Sequence, residues 1–199
     1  MGSYKEHYEQ TLLDTYSGIL FNYHNRLKIW FNIIKVGENM SNLEIKKTSI
    51  KTVMIYLEKD NQYLMLYRNK KKVDINKGKY IGVGGHVEEN ETPSEAIVRE
   101  VKEETGLDLL SFKERGIVYF VLNGYEEEMY IYTSSDFKGE MITCNEGELY
   151  WISKDKIYEV PLWEGDRYFI DLLLKESPYF KMRLIYKDDV LIKKEDVID

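Results

Sequence analysis

A chain of 199 residues, 43% of them hydrophobic and 32% charged, is long enough for one core of ordinary size and too apolar to remain disordered. Its net charge of −7 argues against extended nucleic acid as a partner, which needs a basic face, but leaves room for a small nucleotide neutralised by a metal ion and a few lysines. The single cysteine, Cys144, rules out an intrachain disulfide and a cysteine-built zinc site, and fits a reducing compartment.

The opening MGSYKEHYEQ lacks the basic start and apolar stretch of a signal peptide. No apolar run approaches the ~20 residues that span a bilayer, so a cytoplasmic protein without a membrane partner is expected. Over residues 1–40, Leu12, Leu13, Tyr16, Leu20, Tyr23, Leu27, Trp30, Phe31 and Ile34 recur at three- and four-residue spacing, which predicts an amphipathic helical extension. Gly18 divides it into two helices. The apolar stripe suits three roles equally: a cover for a pocket, a homodimer contact, or a docking face for another protein. Val36 to Lys47 reads as a polar linker, Met40 as an alternative start, and residues 41–199 as the main domain.

From Thr48 the pattern turns to strands. Ile50, Val53, Ile55 and Leu57 form a β-rich run that ends at Lys59-Asp60-Asn61, and Tyr63 to Tyr67 returns as the second half of a hairpin. A basic loop, Arg68 to Lys79, leads to a short strand, Tyr80 to Val83, and then to Gly84 and Gly85. Further strands are expected at Gly116 to Leu122, Met129 to Thr133, Leu149 to Ile152 and Phe180 to Tyr186, with a helix from Trp163 to Leu174. Strands and helices without regular alternation indicate an α+β domain.

The most informative stretch is GHVEENETPSEAIVREVKEETGL. Thr92 suits an N-cap, Pro93 the first helical position, Glu95 the far side of a capping box, and Gly106 a C-terminal stop. At ~100° per residue, Glu100, Glu103 and Glu104 share a face, and Ile97, Val98 and Val101 lie on a neighbouring one suited to packing on a sheet. Three carboxylates so close repel one another unless a cation compensates. An all-oxygen set favours Mg²⁺, or Mn²⁺, over zinc. Arg99, four residues before Glu103, is placed to steer that carboxylate. Composition alone would make this a solvated acidic face.

The spacing favours the metal. The segment resembles the Nudix box, G-x5-E-x7-R-E-U-x-E-E-x-G-U, with U a bulky aliphatic residue. Gly85, Glu91, Arg99, Glu100, Val101, Glu103, Glu104, Gly106 and Leu107 fill every fixed position. Chance agreement of this kind is on the order of one in a million. The resemblance implies an α/β/α sandwich around a mixed sheet and hydrolysis of a nucleoside diphosphate linked to another moiety. It also implies metal binding by Glu100, Glu103 and Glu104, a carboxylate that activates water, and support from Arg99 and Glu91.

Two stretches outside the box are similar to the MutT-type branch, which hydrolyses 8-oxo-dGTP to monophosphate and pyrophosphate and so keeps damaged precursors out of DNA. In KGKYIGVGGHVE, Gly84 and Gly85 let backbone approach phosphate and metal closely, with Gly85 among the metal-site positions and Lys79 beside the substrate. In CNEGELYWI and PLWEGDRYF, Glu146 matches a further metal ligand, Trp163 a base-stacking aromatic and Asp166 an acid that reads the purine edge. Ile81 and Gly165 depart from that branch, where some relatives carry an asparagine and a second acid. Each outer residue also has an ordinary reading: Trp163 as core, Asp166 as a surface acid, Glu146 as a turn residue. Lys70, Lys71, Lys72, Lys77 and Lys79 form either a phosphate-attracting rim or a solvated loop. His86 is more simply a bystander. ADP-ribose, nucleotide sugars and capped RNA are alternative substrates, and a catalytically idle nucleotide-sensing module is the non-enzymatic reading.

Overall fold

The structure, a computed structural model, describes residues 45–198. The helical extension expected over residues 1–40, the homodimer contact assigned to it, and most of the linker lie outside them. Among the described residues no helix is long and apolar enough to cross a membrane.

Strand β1 (Lys46–Lys59) organises the sheet. Its period-two pattern sends Val53, Ile55 and Leu57 to one face and Tyr56 to the other, all of them buried. Asp60 and Asn61 both take left-handed backbone, with φ of 51° and 57°, and close a tight hairpin into β2 (Gln62–Tyr67) in the register Lys59↔Gln62. The basic loop then leads to β3 (Tyr80–Ile81) and β4 (Val83–His86). β2 and β4 divide one edge of β1 between them, Leu57 to Lys59 pairing with β2 and Thr52 to Ile55 with β4.

Helix α1 (Pro93–Thr105) follows, then β5 (Asp108–Leu122), β6 (Tyr125–Lys138) and β7 (Glu148–Ser153). A 3-10 turn over Lys154–Glu159, helix α2 (Asp166–Leu174), β8 (Phe180–Lys187) and β9 (Val190–Asp196) complete the chain. The sheet runs β3-β2-β1-β6-β5-β8-β9, with β4 added to β1 and β7 to β2. The β1–β6 and β5–β8 pairs are parallel and the others antiparallel, so the sheet is mixed as expected.

Among the described residues, each sheet face carries one helix. Ala96, Ile97 and Val101 of α1 pack on Val53, Ile55, Leu57, Leu64 and Val83. Phe169, Ile170 and Leu173 of α2 pack on the opposite layer with Tyr56, Tyr63, Met65, Ile131 and Leu184. At about 1.5–3 kcal/mol per fully buried large apolar side chain, these contacts outweigh the intrinsic propensity of either helix.

Several expectations are corrected. Val98 is exposed, and Ala96 takes its place against the sheet. β5 and β6 extend well beyond their apolar centres because antiparallel pairing continues from Asp108↔Lys138 to Leu122↔Tyr125 through residues whose side chains are partly solvated. β9 has no sign in VLIKKED; as an edge strand it presents one side to water and tolerates lysine and glutamate. α2 begins at Asp166, so Trp163 precedes it.

Candidate active site

Helix α1 is held at both ends by its own sequence. Thr92 and Glu95 form a reciprocal capping box, with Thr92 N–H donating to Glu95 at 2.8 Å and Glu95 N–H to Thr92 Oγ1 at 3.2 Å. Gly106, at φ 78°, ends the helix in left-handed backbone. Because Ala96, Ile97 and Val101 face the sheet, Glu100 and Glu104 come to lie against the β4 glycines. An added Cβ on Gly85 would stand 2.3 Å from Glu100 Oε1, and one on Gly84 would stand 2.0 Å from the Val53 carbonyl oxygen. Any side chain at either position would push the carboxylates or β1 away.

Gly84 N–H donates to Glu104 Oε2 at 3.0 Å. Glu104 is 5% exposed, and burial pushes its pKa up to about 8; the bond from Gly84 opposes that rise, while the charges of Glu100 and Glu146 add to it. Burial likewise raises Glu100, with Arg99 opposing and Glu103 and Glu146 reinforcing the shift. Glu103 stands out into solvent, its side chain 60% exposed.

Arg99 is the hub of the carboxylates. It grips Glu91 with two bonds of 2.9 Å, and donates to Glu100 at 2.8 Å, to Glu103 at 3.2 Å and to the His86 carbonyl at 2.9 Å. Its link to Glu103 is the expected one. The fork on Glu91 explains why the first acid of the motif is spaced eight residues before it: Arg99 holds that carboxyl below its ordinary range.

The donor set suits a hard divalent cation. Buried Glu104 and the largely covered Glu100 lie against glycine backbone and repel each other; Arg99 pairs with Glu100 at 2.8 Å, whereas Arg68 comes no closer than 3.9 Å to Glu104, and all donors are oxygens. Among the described residues no three acidic, histidine or cysteine side chains converge in metal-ligating geometry in their present rotamers. Two causes are visible: Glu103 is drawn to Arg99, and Glu146 is held by Arg68 and Lys71.

Arg68 and its partners escape the sequence reading. Arg68 directly follows β2 with its side chain 9% exposed, donates to Asp74 at 2.7 Å, pairs with Glu146, and lies 3.9 Å from Glu104 Oε1. Burial alone would raise Glu146, but Lys71 and Arg68 outweigh it and hold this carboxyl low. An arginine inside a basic loop looks solvated; the one available signal is its place directly after an apolar strand.

Trp163 and Asp166 lie elsewhere, Trp163 in the core layer beneath α2 and Asp166 as the first residue of that helix. Trp163 is 4% exposed, meets Phe120 and Tyr186 edge-on at 5.6 and 5.1 Å, and donates from Nε1 to Asn76 Oδ1 at 2.8 Å. Lys79 Nζ sits 4.1 Å from its ring centroid. Lys79 and Trp163 border a cleft of about 460 Å³ that is also lined by Arg167, Tyr168 and Asp189. Asp166 is buried rather than a surface acid. Its Oδ2 has no hydrogen-bond partner among the described residues, and burial pushes its pKa up to about 8. The 68–79 loop thus touches both regions, Glu146 through Arg68 and Lys71, and Trp163 through Asn76 and Lys79.

Comparison with known proteins locates the same segment. The family described as NUDIX domain matches residues 48–173. An oxidized purine nucleoside triphosphate hydrolase from Mus musculus is 30% identical over 111 residues, spanning 55% of this chain and 71% of its own. An ADP-ribose pyrophosphatase from Methanocaldococcus jannaschii is 42% identical over 81 residues, 36% of this chain and 46% of its own. Among solved structures, a mutator MutT protein from Bacillus halodurans superposes with a TM-score of 0.67 at 24% identity, covering 74% of this chain and 97% of that one.

Proposed function

The chain belongs to the NUDIX family, and from that premise we propose that it is a divalent-metal-dependent pyrophosphohydrolase that cleaves oxidised purine nucleoside triphosphates, of the 8-oxo-dGTP kind, to monophosphate and pyrophosphate. The observation that carries the hydrolytic reading is the pair Glu100 and Glu104 crowded against Gly84 and Gly85, their side chains 13% and 6% exposed and Arg99 bonded only to the first. Glu100, Glu103, Glu104 and Glu146 would hold Mg²⁺, with Mn²⁺ as a substitute, and the Gly85 backbone would complete the set. When bound, the metal supplies charge neutralisation on the phosphate oxygens and assists ionisation of water. The chain's own part is positioning: Arg99 fixes the azimuth of Glu100 and Glu103, the β4 glycines admit substrate phosphate closely, and a free glutamate accepts the proton of the attacking water.

For the base, Asp166 supplies a rare group, a carboxyl held neutral near pH 7. A neutral carboxyl donates once and accepts once. The O6/N7–H edge of 8-oxoguanine offers the complementary acceptor and donor, whereas guanine offers two acceptors there. Trp163 and Lys79 would border the base, and Lys79 would have to leave the indole face for a purine to stack on it. Similarity to the mouse enzyme supports this substrate class. A second reading, ADP-ribose, draws on the higher local identity to the archaeal pyrophosphatase.

A panel of 8-oxo-dGTP, dGTP and ADP-ribose with Mg²⁺ separates the two. The first reading expects the highest kcat/KM on 8-oxo-dGTP, and preference for ADP-ribose would replace it with the second. Glu103→Gln and Glu104→Gln are each expected to lower turnover by several orders of magnitude with the fold intact. Wild-type rates in either variant at saturating Mg²⁺ would refute the metal platform.

A further inference from the structure

We propose that Arg68 is the resident counter-ion of the acidic site, a positioning residue that holds Glu146 until a divalent cation claims that carboxylate. This rests on the reading that the Glu100–Glu104 cluster takes such a cation.

One guanidinium stands among three carboxylates. The Arg68–Asp74 bond is the fixed part: both side chains are more than nine-tenths buried, the contact is 2.7 Å, and Asp74 also accepts the Asn76 N–H at 3.0 Å. The Arg68–Glu146 pair is the movable part. Glu146 lies in a loop between β6 and β7, its side chain is 32% exposed, and Arg68 and Lys71 each take one of its oxygens. Arg68 stays 3.9 Å from Glu104 Oε1, beyond hydrogen-bond distance, so it tempers the charge of Glu104 without saturating that oxygen.

A doubly charged ion between Glu100 and Glu104 would therefore sit close to a buried guanidinium and compete with it for Glu146. Arg68 and Lys71 each hold one oxygen of Glu146, so a ligating ion draws that carboxylate away from both cations. Metal entry frees Arg68 and Lys71 together, and both belong to the loop that reaches Trp163 through Asn76 and Lys79. Arg68 thus keeps affinity for the bare metal low, and metal entry loosens the loop beside the cleft.

The test is a calorimetric titration of the full chain with Mn²⁺ alone. Arg68→Gln is expected to bind Mn²⁺ on the order of tenfold more tightly than wild type, and Arg68→Lys, which keeps the charge, to stay closer to wild type. A purely structural arginine gives the opposite sign, because disrupting the site weakens binding; unchanged or weaker affinity in Arg68→Gln overturns the inference. Should that variant fail to fold, hydrogen exchange on the wild type decides. Residues 69–77 are expected to exchange faster with Mg²⁺ than without it, and unchanged or slower exchange overturns the inference. If wild type takes up no Mn²⁺, the cation reading of the cluster fails and this inference with it. If wild type binds Mn²⁺ and Glu104→Gln does not, yet Arg68→Gln gains nothing, the inference alone fails.

Discussion

Asp166 sits in an environment that costs the fold stability when its carboxyl is ionised. Its carboxyl is buried, one oxygen lacks a hydrogen-bond partner among the described residues, and burial pushes its pKa from the ordinary 3.8 up to about 8. A raised acid pKa means that the stability tied to this group is fully present below about pH 4 and is lost as pH rises through about 8. Asp166→Asn is therefore expected to gain Tm relative to wild type progressively from pH 5 to pH 9, by several degrees at the alkaline end, in thermal melts without metal. A pH-independent difference would mean that Asp166 is solvated in the folded protein. If the neutral carboxyl reads the base, preference for 8-oxo-dGTP over dGTP should also fall above pH 8, which steady-state rates at pH 7 and pH 9 would measure.

At the scale of elements, helix α1 does two jobs with one amphipathic pattern: its apolar stripe docks on β1 and β4, and the acids beside that stripe are thereby fixed against glycine backbone. Loss of the cap should loosen both. Thr92→Ala is expected to cost about 1 kcal/mol, seen as a drop of a few degrees in Tm. Gly85→Ala is a sharper probe, because its Cβ would overlap the Glu100 carboxylate. It should lower Mg²⁺ affinity measured by calorimetry far more than it lowers Tm, and equal losses in both would mean that the position matters only for packing. The cap, the proline start, the glycine stop and the acidic face were all legible before the fold was known, because helix signals are local. The placement of Val98 in solvent was not, since a helix wheel does not say which of two adjacent stripes the sheet will cover.

For the whole molecule, the buried residues of both principal core layers among the described residues lie within 53–186. We expect residues 41–199 to melt cooperatively and to retain turnover, with mass in solution reporting any assembly through residues 1–40. Added Mg²⁺ should raise Tm in wild type and leave Glu104→Gln unmoved, because a ligand that binds only the folded state stabilises it in proportion to its affinity. The motif spacing, the capped helix, the hairpin turn and the alternating strand centres were determined by the sequence itself, since each depends on neighbours within a few residues. Tertiary structure alone decided the rest. It drew Arg68 onto Glu146 across 78 positions, buried Asp166 with one oxygen unpartnered among the described residues and put Lys79 over Trp163. The energies of ion pairs and buried acids are set by surroundings that only the folded chain assembles.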